Sequence, residues 1–398
     1  VTTRWPPGNK SEVTPHTSPV MRNLDTEFPV TASHTYLNHA AVAPWPRRTA
    51  AAVAAFAEEN LLHGAAHYPK WLETETRLRG LAARLINAPS PDDIALLKNT
   101  SEGLSIVAHG LAWQTGENVV GIRQEFPSNR VVWESLANSG VEFRALDLDA
   151  TDDPEAGLVE LCDENTRLLA VSAVQFATGL RLDLDRLGRF CRANGILFCV
   201  DAIQQIGALP FDAQAVNADF VVADGHKWML GPEGVALFYS RPGVREQLRL
   251  FQFGWHMRTH PGDYGADSPW EVSPTATRFE CGSPNMLGIH ALTSSLDLLL
   301  EQGMNAIGRA VTERADLLTR WAAGHPGFEL LSPLDPARRA GIVSIRHPSI
   351  PPADLAERLT AAGVVCAVRG GGLRLSPHFY TPLQQLEQTC KLLEKTTA

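Results

Sequence analysis

Apolar residues recur at helical spacing in the first part of the chain and then change to short continuous runs. From Arg47 to Leu85 the spacing predicts two helices, and Asn87, Pro89 and Pro91 end this region. Short apolar runs that alternate with helical patterns follow, and they predict buried strands at ENVVGI, VEFRALDL, RLLAVSAVQF, ILFCVDAI, DFVVAD and GVALFYS. This rhythm predicts an α/β fold with a doubly wound, mostly parallel sheet.

The pattern changes again towards the C-terminus. A long helical stretch runs through Glu301 to Ala323, and strands are predicted near AGIVSIRH, VVCAVR and GLRLS. We therefore expect a disordered polar tail over 1–21, an N-terminal segment plus a large domain over 22–286, and a small α+β C-terminal domain over 287–398. Ligands of open α/β sheets bind beyond the carboxyl ends of the strands, so the site is expected in the loops that follow them.

Composition narrows the class of protein. The net charge of −9 disfavours nucleic acid as a partner, and no apolar run approaches the ~18 residues of a membrane span. The first residues lack a secretory signal and the six cysteines include no C-x-x-C pair, which favours the cytoplasm. No metal site is expected, because Gly64 stands between His63 and His67 where the H-E-x-x-H motif needs glutamate.

The strongest chemical signal is an acid and a lysine that follow neighbouring strands. Asp201 ends one predicted strand and Lys227 follows the next, so both side chains are expected in one crevice. Pyridoxal phosphate requires such a pair: a lysine to hold its aldehyde as an imine, and a carboxylate to keep its pyridine nitrogen protonated. Taken singly, Asp201 is equally consistent with a turn residue and Lys227 with a solvated loop lysine.

Longer motifs resemble the class V aminotransferases, a family that includes cysteine desulfurases, kynureninase and isopenicillin N epimerase. The resemblance is carried by D-x-x-Q at Asp201 to Gln204, by HKW at His226 to Trp228 and by GPEG, and it extends from YLNHAAVAP to LRLSPHFYTP. It implies a fold type I enzyme with pyridoxal 5′-phosphate as cofactor and a small amino acid or amine as substrate. It also implies a homodimer with shared active sites.

The resemblance assigns roles to the residues around the lysine. Lys227 is expected to hold the cofactor covalently and to act as the acid/base, and Asp201 to pair with the pyridine nitrogen. Gln204 is expected to donate a hydrogen bond to the phenolic oxygen of the cofactor. His226 is expected near its phosphate.

The segment LLKNTSEGLSIVAHGL predicts an anion site at the start of a helix. Asn99 can cap this helix, which leaves Thr100 and Ser101 in a first turn whose N–H groups are unpaired. A simple capping box between Asn99 and Glu102 accounts for the same residues, and the two interpretations are compatible. The resemblance makes Thr100 and Ser101 the phosphate-binding pair.

Other candidate contacts also come from the resemblance. Phe126 occupies the position whose ring stacks on the cofactor, although a core phenylalanine fits the residue type equally well. Ser283 belongs to a loop that reaches the phosphate of the neighbouring subunit. Arg374 matches the arginine that pairs with the substrate carboxylate, for which a planar guanidinium is suited. Asn38 is a further candidate substrate contact.

Three departures from the family pattern bear on the reaction. Only four residues separate Arg369 from Arg374, so the loop that carries the nucleophilic cysteine of the desulfurases is almost absent. Phe176 replaces an asparagine that contacts the substrate carboxylate, a loss for which Gln175 is a candidate substitute. Asp224 stands where a phosphate-binding serine is usual, and the sequence assigns it no role.

These departures leave several reactions open. Transamination is the first expectation. The alternatives are C–S or C–Se lysis or β-elimination without a cysteine nucleophile, racemisation like that of isopenicillin N epimerase, and a protein that binds pyridoxal phosphate without turnover.

Overall fold

The computed structural model describes residues 24–265 and 270–397, so the tail predicted over 1–21 lies outside the described residues. The helices are α1 Leu24–Glu27, α2 Arg47–His63, α3 Tyr68–Leu85, α4 Thr100–Gly110, α5 Ser128–Glu134, α6 Pro154–Glu160, α7 Leu184–Asn194, α8 Met286–Gln302, α9 Met304–Gly324, α10 Pro352–Ala361 and α11 Leu383–Thr397. The strands are β1 Thr35–Tyr36, β2 Ile94–Leu97, β3 Asn118–Ile122, β4 Glu142–Leu146, β5 Thr166–Ser172, β6 Leu197–Asp201, β7 Phe220–Asp224, β8 Ala236–Ser240, β9 Glu329–Leu330, β10 Val343–Arg346, β11 Val364–Val365, β12 Ala367–Arg369 and β13 Gly372–Leu375.

A seven-stranded sheet forms the centre of the molecule, with the strand order β2-β8-β7-β6-β5-β3-β4. Strands β4, β3, β5, β6 and β7 pair in parallel, and β8 runs antiparallel to both of its neighbours. Each of the six strands predicted for this sheet is present. The predicted α/β fold with a mostly parallel sheet is confirmed.

Both faces of this sheet are covered, which explains why its strands are continuous apolar runs. Along β7, Phe220 and Val222 enter the core that includes Leu104 of α4. Val221 and Ala223 face the opposite way, into the core that α3 and α8 cover. The alternation places Asp224, two residues after Val222, on the face that packs against α4.

Two features of the pattern were not predicted correctly. The four residues of β2, the next strand after α3, form an edge strand, and an apolar run this short carries no recognisable period. The long helical stretch through Glu301 to Ala323 is two helices, because the chain turns at Gly303 with a φ of 80°. Such a φ suits glycine, which lacks the Cβ atom that clashes there.

A smaller antiparallel sheet with the order β12-β13-β10-β9 lies towards the C-terminus. Its core includes Leu318 of α9, Leu355 of α10 and Leu386 of α11, whereas Ile307 near the start of α9 packs in the large core. Strand β1 also belongs here, since it pairs with β11. We propose that the small unit begins within α9 and recruits β1, rather than starting at residue 287.

Within residues 24–265 and 270–397, no helix is long and apolar enough to cross a membrane.

Candidate active site

A cavity of about 350 Å³ opens at the carboxyl ends of β5, β6 and β7, where the fold predicts a ligand. Its floor consists of residues at or just after these strand ends, and its walls come from the segment after β1, from the start of α4 and from β12 and β13. The lining residues are Ala40, Ala41, Val42, Asn99, Thr100, Ser101, Phe126, Ser128, Ser172, Phe176, Asp201, Ile203, Gln204, Asp224, His226, Lys227, Glu233, Arg369 and Arg374.

Lys227 is buried in the turn that follows β7. Its neighbour Trp228 fixes this turn, because the indole N–H donates to Gln204 Oε1 at 2.8 Å and the carbonyl lies 3.0 Å from His378 Nε2. Burial lowers the pKa of Lys227 to about 8, an effect that the Asp201 carboxylate opposes and Arg374 reinforces. About a tenth of the amine is therefore uncharged at pH 7 and available as a nucleophile, far more than in an ordinary lysine with a pKa of ~10.4.

Asp201 lies at the floor of the cavity and is 3% exposed. Its Oδ1 accepts a hydrogen bond from the Ile203 N–H at 3.1 Å. Burial raises the pKa of Asp201 to about 6, while that hydrogen bond and the charge of Lys227 act in the opposite direction. A cation placed against this carboxylate would keep it ionised.

Phe126 and Gln204 frame the space between the acid and the lysine. The Phe126 ring is 43% exposed, and Lys227 Nζ lies 5.5 Å from its centroid. Gln204 Nε2 donates to the Ala40 carbonyl at 3.1 Å, so the amide is held in a fixed orientation and one of its two N–H groups is committed. Phe126 thus presents a partly exposed aromatic ring to the cavity, unlike a core phenylalanine.

The start of α4 forms the second end of the cavity. Asn99 Oδ1 caps the helix by accepting from the Glu102 N–H at 2.9 Å, and the Glu102 carboxylate accepts from the Lys98 N–H at 2.7 Å. Thr100 Oγ1 is buried and has no hydrogen-bond partner, whereas Ser101 Oγ donates to Ser128 Oγ at 2.8 Å. The capping arrangement is therefore present, and it leaves the Thr100 hydroxyl available to a ligand.

Asp224 and His226 lie together at this end. Asp224 Oδ1 is 2.9 Å from His226 Nδ1, and the Asp224 side chain is almost fully buried. The two atoms are not aligned for a hydrogen bond, so each is a buried polar atom without such a partner. Two unsatisfied atoms in one wall indicate that a bound group completes the arrangement.

Arg374 supplies a cation at the opposite end. It is 2% exposed, and its Nη1 donates to the Phe176 carbonyl at 2.8 Å. Its Nε and Nη2 atoms are buried and have no hydrogen-bond partner. Burial, with a smaller contribution from the charge of Arg369, lowers the pKa of Arg374 to about 10. A buried guanidinium with free donors is suited to a carboxylate.

Three predicted residues do not meet the others at the cavity. Gln175 is committed to its own turn, since Oε1 accepts from the N–H groups of Ala177 and Thr178 at 2.6 and 2.9 Å. Asn38 lies outside the lining, although its buried Oδ1 has no hydrogen-bond partner. Ser283 lines a separate cavity of about 180 Å³, whose lining includes Lys98 and Glu102. A contact of Ser283 with the phosphate of a neighbouring subunit stays a prediction.

The sequence reasoning also missed a buried carboxyl group next to Phe126. Glu125 accepts from the Ser172 N–H at 2.6 Å and from the Ser172 hydroxyl, and burial raises its pKa to about 7. Ser172 is paired with Asp201 across β5 and β6. Glu125 therefore ties the loop that carries Phe126 to the strand beside Asp201. A glutamate in the short segment between β3 and Phe126 was the available signal.

Among the described residues, no cysteine lines the cavity. Cys366 is the cysteine nearest in sequence to the hairpin between β12 and β13, and burial raises its pKa to about 11, which disfavours the thiolate. The hairpin between β12 and β13 pairs Arg369 with Gly372 and leaves no room for a long loop.

Comparison with known proteins places these observations in a family. The sequence pattern of the family described as aminotransferase class-V matches residues 35–391. A probable cysteine desulfurase of Methanothermobacter thermautotrophicus is 30% identical, over 94% of this chain and 98% of that protein. One from Pyrococcus abyssi is 28% identical, over 80% of this chain and 82% of that protein.

Solved structures confirm the fold. The apo structure of a cysteine desulfurase from Thermococcus onnurineus superposes with a TM-score of 0.85 at 24% identity, covering 94% of this chain and 97% of that one. A C-DES mutant with glycine linked to its pyridoxal phosphate gives a TM-score of 0.86 at 24% identity, over 92% and 98%. The chain belongs to the class V aminotransferase family and is a pyridoxal-phosphate-dependent enzyme.

Proposed function

We propose that this enzyme cleaves the C–S bond of a small sulfur-containing amino acid by β-elimination, without a cysteine nucleophile of its own. The observation that carries the proposal is a cavity with a buried lysine, a buried acid and a buried arginine but no thiol among its described lining residues. The relative of 30% identity is described as a probable cysteine desulfurase, which favours C–S chemistry over the transamination first expected from the sequence.

The residues present fit pyridoxal phosphate at this place. Lys227 would hold the aldehyde carbon and Asp201 the pyridine nitrogen, with Gln204 at the phenolic oxygen and Phe126 against the ring. Thr100, Ser101 and His226 would bind the phosphate, and the unpartnered Thr100 hydroxyl supports this assignment. When bound, the cofactor supplies an electron sink that stabilises negative charge at the substrate α-carbon.

The other residues would position the substrate and move a proton. The two free donors of Arg374 would bind the α-carboxylate, which directs the amino group towards Lys227. A lysine with a pKa of about 8 can accept the α-proton as a neutral amine and return it near neutral pH. Phe126 and Phe176, in edge contact with ring centroids 5.4 Å apart, would exclude water from this side.

The fate of sulfur distinguishes this proposal from desulfurase chemistry. An enzyme thiolate that takes the sulfur leaves alanine as the other product. Here the sulfur would leave with the bonding electrons as a thiol or sulfide, and hydrolysis of the remaining fragment would give pyruvate and ammonia. The raised pKa of Cys366 and its position outside the cavity support the second route.

Product analysis tests the proposal. Holoenzyme would be incubated with L-cysteine, L-cystine and a panel of other amino acids, and the products identified by mass spectrometry. We expect pyruvate, ammonia and a sulfur product in equal amounts from one of the sulfur amino acids. Cys366→Ala should retain full activity. Alanine as the main product, or loss of activity in Cys366→Ala, would contradict the proposal.

The same assay decides between the remaining activities. A keto acid that retains the substrate side chain, formed together with pyridoxamine phosphate, would indicate transamination. The mirror-image amino acid would indicate racemisation. A spectral change with no product from any substrate would indicate a binding protein.

We also infer a homodimer, in accordance with the family resemblance. Exposed aromatic residues lie on the segments before and after the undescribed residues 266–269: Phe251, Phe253, Tyr264 and Trp270 are 46%, 62%, 74% and 55% exposed. The rings of Phe253 and Trp270 lie in edge contact, with centroids 6.4 Å apart, and exposed apolar side chains grouped in this way are typical of a surface covered by a partner. Light scattering on the purified protein should give twice the chain mass of 43.3 kDa, and the mass of one chain would contradict the inference.

A further inference from the structure

Asp224 is the lining residue that the proposed chemistry leaves without a role. It lies at the end of β7 on the face that packs against α4, and it stands where the family resemblance predicts a serine at the phosphate. Its side chain is 7% exposed and its Oδ1 has no hydrogen-bond partner. A buried carboxylate beside a phosphate dianion is unfavourable unless a proton or a cation lies between them.

Three buried polar atoms without hydrogen-bond partners surround the same end of the cavity. They are Asp224 Oδ1, His226 Nδ1 and Thr100 Oγ1. The first two are 2.9 Å apart, and the third belongs to the first turn of α4, whose unpaired N–H groups attract an anion. The carboxylate and the imidazole are thus close enough for the protonation of one group to depend on the charge of the other.

We propose that Asp224 and His226 act as one unit that takes up one proton when the cofactor phosphate binds. This proposal rests on the proposed function. A serine at this position would bind the dianion without that proton. The unit carries one negative charge when it holds no proton and is neutral when it holds one. Phosphate binding therefore favours the protonated unit, and Asp224 acts as a positioning residue for the charge on His226.

Other charged groups face this unit. Asp201 comes from β6, and Lys227 and Glu233 come from the segment that follows β7. Arg369 and Arg374 come from β12 and β13 across the cavity. On α4, Glu102 is directed to Lys98, with a carboxylate oxygen 3.1 Å from Lys98 Nζ. The test must separate the Asp224–His226 unit from all of these groups.

The consequence is a cofactor affinity that depends on pH in a defined direction. Above pH ~7 the phosphate is already a dianion and an unpaired imidazole is neutral. If binding takes up one proton, the affinity for the phosphorylated ligand falls about tenfold for each unit of rising pH. In the Asp224→Ser variant no such proton is required, so the dependence should be nearly flat.

The test measures dissociation constants of apoenzyme for pyridoxine 5′-phosphate and for pyridoxine between pH 7 and 9. Neither probe has an aldehyde, so neither forms a covalent bond with Lys227. The ratio of the two constants reports the phosphate end, because the groups that contact the ring act on both probes. For the unmodified protein we expect this ratio to change about tenfold per pH unit. For Asp224→Ser we expect less than about twofold, with tighter binding at pH 9.

Glu233→Gln is the matched control. It removes one exposed carboxylate that lines the same cavity but is not paired with His226. Its pH dependence should equal that of the unmodified protein. Calorimetry in two buffers of different ionisation enthalpy provides an independent measurement, with an uptake of about one proton more for the phosphorylated probe at pH 8.

Each outcome discriminates. Equal pH dependence in the unmodified protein and in Asp224→Ser, or weaker binding by Asp224→Ser at pH 9, overturns the role of Asp224. If Asp224→Ser does not fold, the proton uptake that calorimetry measures for the unmodified protein tests the proposal instead. Equal proton uptake for both probes would then overturn it. Failure of the unmodified protein to bind pyridoxine 5′-phosphate at any pH would instead overturn the assignment of the cavity to the cofactor.

Discussion

The two ends of the cavity are built differently. The end proposed for the cofactor is formed by the large sheet and by α4, so Asp201, Asp224 and Thr100 are fixed by strand register and helix capping. The end proposed for the substrate is formed by parts from distant regions of the chain. Arg374 comes from the small sheet, and the Phe176 carbonyl that holds it comes from the turn after β5.

Because of this difference, cofactor binding and the type of reaction depend on different parts of the structure. A regular sheet edge can present the same acid, lysine and anion site in many relatives, because their positions depend on hydrogen bonding between strands. The hairpin between β12 and β13 is free to change length without disturbing that edge. In this chain the hairpin is short and contains no cysteine, so the inherited cofactor site is proposed to serve a different route for sulfur.

The largest expected effect belongs to the cofactor end. Asp201→Asn should lower kcat by ~100-fold or more, because the pyridine nitrogen loses the carboxylate that stabilises its positive charge. The affinity for pyridoxal phosphate should change much less. Steady-state kinetics and equilibrium dialysis would measure the two quantities. A large loss of affinity with kcat preserved would contradict the role of Asp201.

Substitution of Arg374 at the substrate end should change KM. Arg374→Gln removes a charge-assisted contact worth roughly 1.5 to 3 kcal/mol, so KM should rise about 10- to 100-fold while the cofactor stays bound. Arg374→Lys keeps the charge but not the two-pronged geometry, and should recover only part of the loss. Kinetics with unchanged visible absorbance would verify this. An unchanged KM in Arg374→Gln would contradict the proposal that the substrate carboxylate binds at this end.

The packing of α4 against β7 should affect stability and cofactor affinity together. A Cβ atom at Gly103 would lie 2.2 Å from Val222 Cγ1, so Gly103→Ala should cost ~1–3 kcal/mol of unfolding free energy and displace the start of α4. Gly80→Ala in α3 is the control, because a Cβ there meets no atom within 4 Å. Urea unfolding and cofactor titration would show the effect. Equal stability of the two variants would contradict this packing.

The smallest effect is a shift on the pH axis. Burial lowers the pKa of Lys227 to about 8, and only the uncharged amine reacts with an aldehyde. Imine formation with pyridoxal, which lacks the phosphate, should therefore increase as the pH rises through about 8, well below the ~10.4 of an ordinary lysine. Stopped-flow absorbance would give the midpoint. A midpoint near 10 would show that Lys227 is solvated.

The sequence allowed the regular part of the site to be predicted. Strand ends, a capping residue and the parallel topology were sufficient to place Asp201, Lys227 and Thr100 at one cavity. The sequence did not predict which of several nearby hydrogen-bond partners a polar side chain takes. Gln175 was expected at the substrate, but its amide oxygen satisfies two N–H groups of its own turn. Buried backbone donors are rarely left unpaired, and a sequence does not show which side chain they take.

The sequence also did not predict contacts between distant parts of the chain. The pairing of β1 with β11 joins residues more than 300 positions apart, which no local pattern indicates. The contact between Asp224 and His226 could be anticipated from their i, i+2 spacing after a strand, but its meaning depends on Thr100 from another element. The role of Ser283 depends on a second copy of the chain.

Attachment of the cofactor to Lys227 is the central claim, and it can be tested directly. Holoenzyme would be reduced with borohydride, digested and analysed by mass spectrometry, together with Lys227→Ala and with Lys98→Ala as a control for an exposed lysine near the site. The account predicts a single phosphopyridoxyl group on Lys227 in the unmodified protein and in Lys98→Ala, and none in Lys227→Ala. A label on another lysine, or an unchanged visible band in Lys227→Ala, would contradict it.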